Sequence, residues 1–84
     1  MINKGEYMNL LKFSSETCNP CKMLSKFLDD NKIPHNEIML ENDVENLMGK
    51  YNIRSFPTLI KLNDEGNEIG RIEGFNPIKI KEFI

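Results

Sequence analysis

The sequence predicts an α/β protein whose elements run β-α-β-α-β-β-α, building one mixed four-stranded sheet with helices on both faces. Three observations predict it. An early segment is apolar on both faces and leads into a stretch with helical spacing. A second strand and a short helical stripe follow. Two later strand-like runs flank the tight turn NDEG, which makes them an antiparallel hairpin.

The elements follow in order. Residues 8–13 (MNLLKF) read as a central strand, with apolar side chains at both parities. The polar stretch 14–17 leads to Cys18, Asn19, Pro20 and Cys21, after which Cys21, Leu24, Phe27 and Leu28 recur at helical spacing. Pro20 suits a first helical turn, where its missing N–H is not needed. That helix is expected to end near residues 30–32, because Pro34 disfavours helical geometry in the residue before it.

A second strand is expected over 36–40. Asp43 then caps a helix whose stripe is Val44, Leu47, Met48 and Tyr51. Residues 58–62 (TLIKL) and 67–72 form the hairpin around 63–66, and Gly70 interrupts the second strand, where a bulge is expected. Asn76 caps a last helix with Pro77 at its first position, burying Ile80, Phe83 and Ile84. The sequence shows no repeat, linker or low-complexity segment.

With 84 residues the chain has room for one domain, expected over 1–84, and one compact core. Eleven basic and 13 acidic side chains are mixed along it, giving a net charge of -2, so the clustered basic stripe that neutralises phosphates is absent. No nucleic-acid partner is expected. Apolar runs fall far short of the roughly 20 residues that cross a bilayer, and the N-terminus lacks a signal peptide's apolar stretch, so no membrane association and a cytoplasmic location are expected. Two cysteines without a secretion signal are too few for a disulfide scaffold, and cytosolic disulfides are more often catalytic or sensing than structural.

Three segments resemble the thioredoxin and glutaredoxin superfamily. Residues 13–22 (FSSETCNPCK) look like that family's strand, loop and helix start bearing C-x-x-C followed by lysine. Residues 51–58 (YNIRSFPT) are similar to the segment that precedes a cis-proline and threonine. Residues 66–84 resemble the closing hairpin, a glycine near the active site, here Gly74, and the final helix. The resemblance implies a minimal thioredoxin-like fold without the extra N-terminal strand and helix of full thioredoxins.

It also implies a thiol-disulfide oxidoreductase that reduces protein disulfides, with no bound cofactor beyond the redox-active Cys18–Cys21 disulfide. Cys18 would be the nucleophile, just before a helix N-terminus that stabilises negative charge, and Cys21 the inward-facing resolving thiol. The Phe56–Pro57 peptide bond would be cis. Asn19, Pro20, Phe56, Pro57 and Gly74 would meet the substrate. Electrons would come from an NADPH-linked flavoprotein reductase or from glutathione, and the protein would act as a monomer. With no charge at Asn19 and Pro20, and no histidine to hold the thiolate, a reductant is expected rather than a strong oxidant.

Two positions depart from the thioredoxin pattern. Thr17 stands where tryptophan is usual, and Lys12 where a buried aspartate assists proton transfer from the second cysteine. Reversing that charge would attract a Cys21 thiolate but removes the usual base. Glu37, on the predicted neighbouring strand, is placed to pair with Lys12, which otherwise reads as a strand residue snorkelling to water.

Other readings stand beside these. Glutaredoxin activity fits the short length and the loss of tryptophan and aspartate. A non-catalytic binding module would use the groove by Phe56 and Gly74. A metal site needs four protein ligands, so two cysteines and the distant His35 would complete one only in a dimer. His35 reads as a solvated surface residue, and Phe56 serves equally as core or as substrate contact. Met8, Met23, Met39 and Met48 read as core filling, and Lys79, Lys81 and Glu82 as the solvated face of the last helix.

Overall fold

A computed structural model describes residues 10–83. Their elements are β1 (Leu10–Ser14), α1 (Asn19–Asp30), β2 (Asn36–Met39), α2 (Leu47–Lys50), β3 (Thr58–Leu62), β4 (Glu68–Glu73) and α3 (Pro77–Phe83), with a 3₁₀ turn at Leu40–Asn42. The expected β-α-β-α-β-β-α order and mixed four-stranded sheet are found. Met8, expected in the first strand, and Ile84, expected under the last helix, lie outside the described residues.

The sheet runs β2-β1-β3-β4, with β1 parallel to β2 and antiparallel to β3, and β3 antiparallel to β4. β1 is central and buried at all five positions. Its alternation separates two cores. Leu10 packs with Leu24 and Leu28 of α1, Leu59, Ile72 and Ile80 of α3. Leu11 and Phe13 face the other way, with Ile60, onto Leu47, Met48, Tyr51 and Phe56. Helices therefore cover both faces, as the apolar pattern of β1 required.

The hairpin turn is built by Asn63, whose side-chain oxygen accepts from the backbone N–H groups of Glu65 and Asn67 at 2.9 Å each, and by Gly66 at φ 87°. The β3–β4 register shifts between Lys61 and Leu62: Lys61 pairs with Gly70 but Leu62 with Glu68. Ile69 is thus the extra residue of a bulge beside Gly70. Gly70 itself makes room for Phe83, since a Cβ there would lie 2.7 Å from the ring.

The expectation of a helix running from Asp43 is corrected. Only Leu47–Lys50 is helical, and Val44 is 94% exposed. The Asp43 carboxylate reaches past three residues to accept from the N–H groups of Leu47 and Met48, each at 2.8 Å, and Asn46 takes left-handed backbone angles at φ 57° before the turn begins. A carboxylate that satisfies helix N–H groups from a distance lets the intervening chain loop out. Two further corrections, at Met23 and His35, follow from exposure. Met23 is 54% exposed rather than core, because its place on α1 lies off the Cys21–Leu24–Leu28 stripe. His35 is half-buried, its Nδ1 2.9 Å from the Ile33 carbonyl oxygen.

Candidate functional site

The register of the sheet gathers four segments at one end. Phe13 pairs with Thr58 and Thr58 with Glu73, while Ser14 pairs with Met39. The loop after β1, Phe56–Pro57 before β3, Gly74 after β4 and the turn after β2 therefore all leave the sheet on the same side.

Cys18 is the N-cap of α1, in extended backbone geometry at φ -98° and ψ 106°. Its sulfur accepts from the backbone N–H of Cys21 at 3.1 Å, so it holds the place of an N-cap side-chain oxygen. Pro20 lies in the first turn, where no N–H is required of it. Cys18 is half-buried, Asn19 and Pro20 are exposed, and Cys21, one turn into the helix, is only 2% exposed. The two cysteines are joined as a disulfide with their Cα atoms 5.2 Å apart. The two bridged residues thus differ in burial, Cys18 partly open to solvent and Cys21 closed into the core.

The Phe56–Pro57 bond is cis, and Pro57 is buried. The Pro57 carbonyl accepts from the Gly74 N–H at 2.7 Å, and Thr58 Oγ1 donates to the Ser55 carbonyl at 2.8 Å. Gly74 has φ 89°, a conformation that side chains disfavour. Phe56 is half-buried against the Leu11, Phe13 and Ile60 cluster, so its ring is largely core.

Lys12 does not snorkel. It is fully buried, and its ammonium donates to Ser14 Oγ at 2.6 Å and to Glu37 Oε2 at 2.5 Å. Burial pushes the Glu37 carboxyl up, but the hydrogen bond and charge of Lys12 more than offset this and hold it below the usual carboxylate value.

Glu41 is a residue the sequence reading missed. From the turn after β2 its carboxylate accepts from Ser15 Oγ at 3.2 Å and from the Glu16 N–H at 3.3 Å, fastening the loop that leads to Cys18. The available signal was topological: parallel β1 and β2 end side by side, so the residues following each become neighbours. Among the described residues, no group of three His, Cys, Asp or Glu side chains is placed to hold a metal ion.

A four-stranded mixed sheet with a C-x-x-C disulfide at a helix N-terminus, beside a cis-proline, defines a thioredoxin-like redox protein. The comparisons agree. The thioredoxin family model matches residues 1–84, and the chain belongs to the thioredoxin family. It is 31% identical over 77 residues to the SPbeta prophage-derived thioredoxin-like protein YosR of Bacillus subtilis, covering 92% of this chain and 95% of that one. It is 39% identical over 79 residues to a thioredoxin of Chlamydia pneumoniae, covering 89% and 74%. The fold matches the crystal structure of Malassezia sympodialis thioredoxin with a TM-score of 0.76 at 19% identity, over 94% of this chain and 73% of that one.

Proposed function

We propose that this protein is a thiol-disulfide oxidoreductase that reduces protein disulfides, with Cys18 as nucleophile and Cys21 as resolving thiol. The observation that carries this reading is the unequal placement of the two bonded sulfurs, Cys18 half-buried at the N-cap and Cys21 buried behind it. In the reduced protein the orphan N–H groups and dipole of α1 favour a Cys18 thiolate, the species that attacks disulfides. Cys18 attacks one sulfur of the substrate bridge, and the other leaves as thiolate. Cys21 then attacks Cys18, the Cys18–Cys21 bond forms, and the substrate departs with both its sulfurs reduced.

Asn19, Pro20 and Gly74 form the rim against which an extended substrate segment would lie, with Phe56 and the buried Pro57 behind it. We take residues 1–84 to act as one domain, a cytoplasmic monomer drawing electrons from an NADPH-linked flavoprotein reductase or from glutathione. Among the described residues no helix is long and apolar enough to cross a membrane. Insulin reduction in the presence of dithiothreitol tests the reading. Wild type should accelerate it, Cys18→Ser should abolish the acceleration with folding retained, and Cys21→Ser should accumulate a mixed disulfide on Cys18. A Cys18→Ser protein as active as wild type would sink the proposal.

A further inference from the structure

We propose that Lys12 is a positioning residue for the second cysteine, its buried ammonium stabilising Cys21 as a thiolate in the mixed disulfide while Glu37 moderates that effect. The inference deepens the redox reading above and rests on it for its role in turnover.

Lys12 is fully buried, and a lysine charge is seldom taken out of water without a partner. Its neighbours place it beneath Cys21. Leu10, Lys12 and Ser14 alternate onto one face of β1, and Lys12 pairs in register with Leu59 on that face. Leu10 and Leu59 pack with Leu24 and Leu28 of α1. α1 joins two parallel strands, so it runs back antiparallel to β1. Moving from Leu24 to Cys21 climbs about 4.5 Å along the helix. Moving from Leu10 to Lys12 climbs about 6.6 Å along the strand towards the same end. The two residues thus lie on the Cys18 side of the Leu10, Leu24, Leu28 and Leu59 cluster, both shielded from solvent.

Among the described residues few other charges reach this face. From β2 comes Glu37, paired with Lys12, with His35 beyond it. From β3 comes Lys61, whose ammonium binds the Phe83 carbonyl at the opposite end. β4 offers Ile72 here, while Arg71 and Glu68 bind each other. On α1, Lys22, Lys26 and Asp29 are exposed, as are Lys79, Lys81 and Glu82 on α3. Among the described residues Lys12 is therefore the buried positive charge on the face that α1 covers, and Glu37 is the group that partly neutralises it.

A thiol buried among apolar side chains is ordinarily poor at ionising. The Lys12 charge opposes that penalty, so Cys21 releases its proton to solvent once Cys18 is tied up in the mixed disulfide and needs no neighbouring base at the resolving step. The Cys21 thiolate then attacks Cys18 Sγ in the mixed disulfide. The Cys18–substrate bond breaks, and its electron pair leaves on the substrate thiolate, which takes a proton from water.

The test is a carbon-13 NMR titration of the single cysteine remaining in Cys18→Ser. Adding Lys12→Met should raise the Cys21 midpoint by about one pH unit or more, lowering its thiolate fraction near neutrality about tenfold. Adding Glu37→Gln should move the midpoint down, because the ammonium is then unneutralised. A midpoint unmoved by Lys12→Met, or shifted in the same direction by both variants, overturns the assignment. If Lys12→Met does not fold, Glu37→Gln alone decides, a fall supporting the proposal and no change or a rise refuting it. The titration consumes no disulfide substrate. Failure of insulin reduction with these shifts intact would therefore count against the reductase reading and not against the Lys12 assignment.

Discussion

Lys12 and Glu37 stand opposite each other across the parallel β1–β2 pair, with Lys12 Nζ 2.5 Å from Glu37 Oε2, one side chain sealed in the core and the other 42% exposed. The Glu37 carboxyl is pushed up by burial and pulled down further by the Lys12 bond and charge, so its folded value lies below its ordinary one. Such a group stabilises the fold above its unfolded value, and that contribution is lost as pH falls through the folded value. Tm should therefore drop from about pH 5 towards about pH 2 more steeply in wild type than in Glu37→Gln, with the two curves converging in acid. Curves that stay parallel across this range would refute the linkage.

Asp43 accepts from two N–H groups of a helix only one turn long. Asp43→Ala should cost about 1 kcal/mol, the typical loss of a capping side chain. Urea unfolding would read this as a lower midpoint with an unchanged slope.

Gly74 combines φ 89° with a short bond to the Pro57 carbonyl, and a Cβ there would meet no atom within 4 Å. The cost of a side chain is therefore one of backbone conformation and not of crowding. Gly74→Ala should lose about 1–2 kcal/mol. Gly74→Asn, which tolerates left-handed geometry better, should lose less; equal losses in the two would argue that space decides.

At Gly70 the balance is the reverse. Its backbone is ordinary, but a Cβ would stand 2.7 Å from Phe83 Cε1. Gly70→Ala should destabilise by about 1–3 kcal/mol, the usual range for overpacking. Combining it with Phe83→Leu should cost less than the sum of the two single changes, and strict additivity in the double-mutant cycle would contradict the contact.

Element order was legible because its punctuation is strong. Pro20 and Pro77 open helices, Asn63 to Gly66 closes a hairpin, and β1 is buried on both faces as its pattern required. The second helix was misjudged because periodicity sees Val44, Leu47, Met48 and Tyr51 as one stripe. It cannot see that the Asp43 carboxylate bridges over the loop. At the site, the cysteine pair and the cis Phe56–Pro57 bond were anticipated, and the pairing of Lys12 with Glu37 followed from placing their strands side by side. Full burial of Lys12 was not anticipated, since a lysine in a strand usually reaches water. Glu41 escaped because its partners, Ser15 and Glu16, lie far from it in sequence and meet it only through strand topology.

The sulfur of Cys18 serves two masters, being both half of the bridge and the acceptor for the Cys21 N–H at the start of α1. A thiolate accepts hydrogen bonds better than a bridged sulfur, so electron transfer to the pair and fraying of the helix end belong to one thermodynamic cycle. The difference in unfolding free energy between the oxidised and reduced chains must equal the difference in bridge stability between the folded and unfolded chains. Two denaturation curves, one in each redox state, would therefore report how far folding shifts this pair's affinity for electrons.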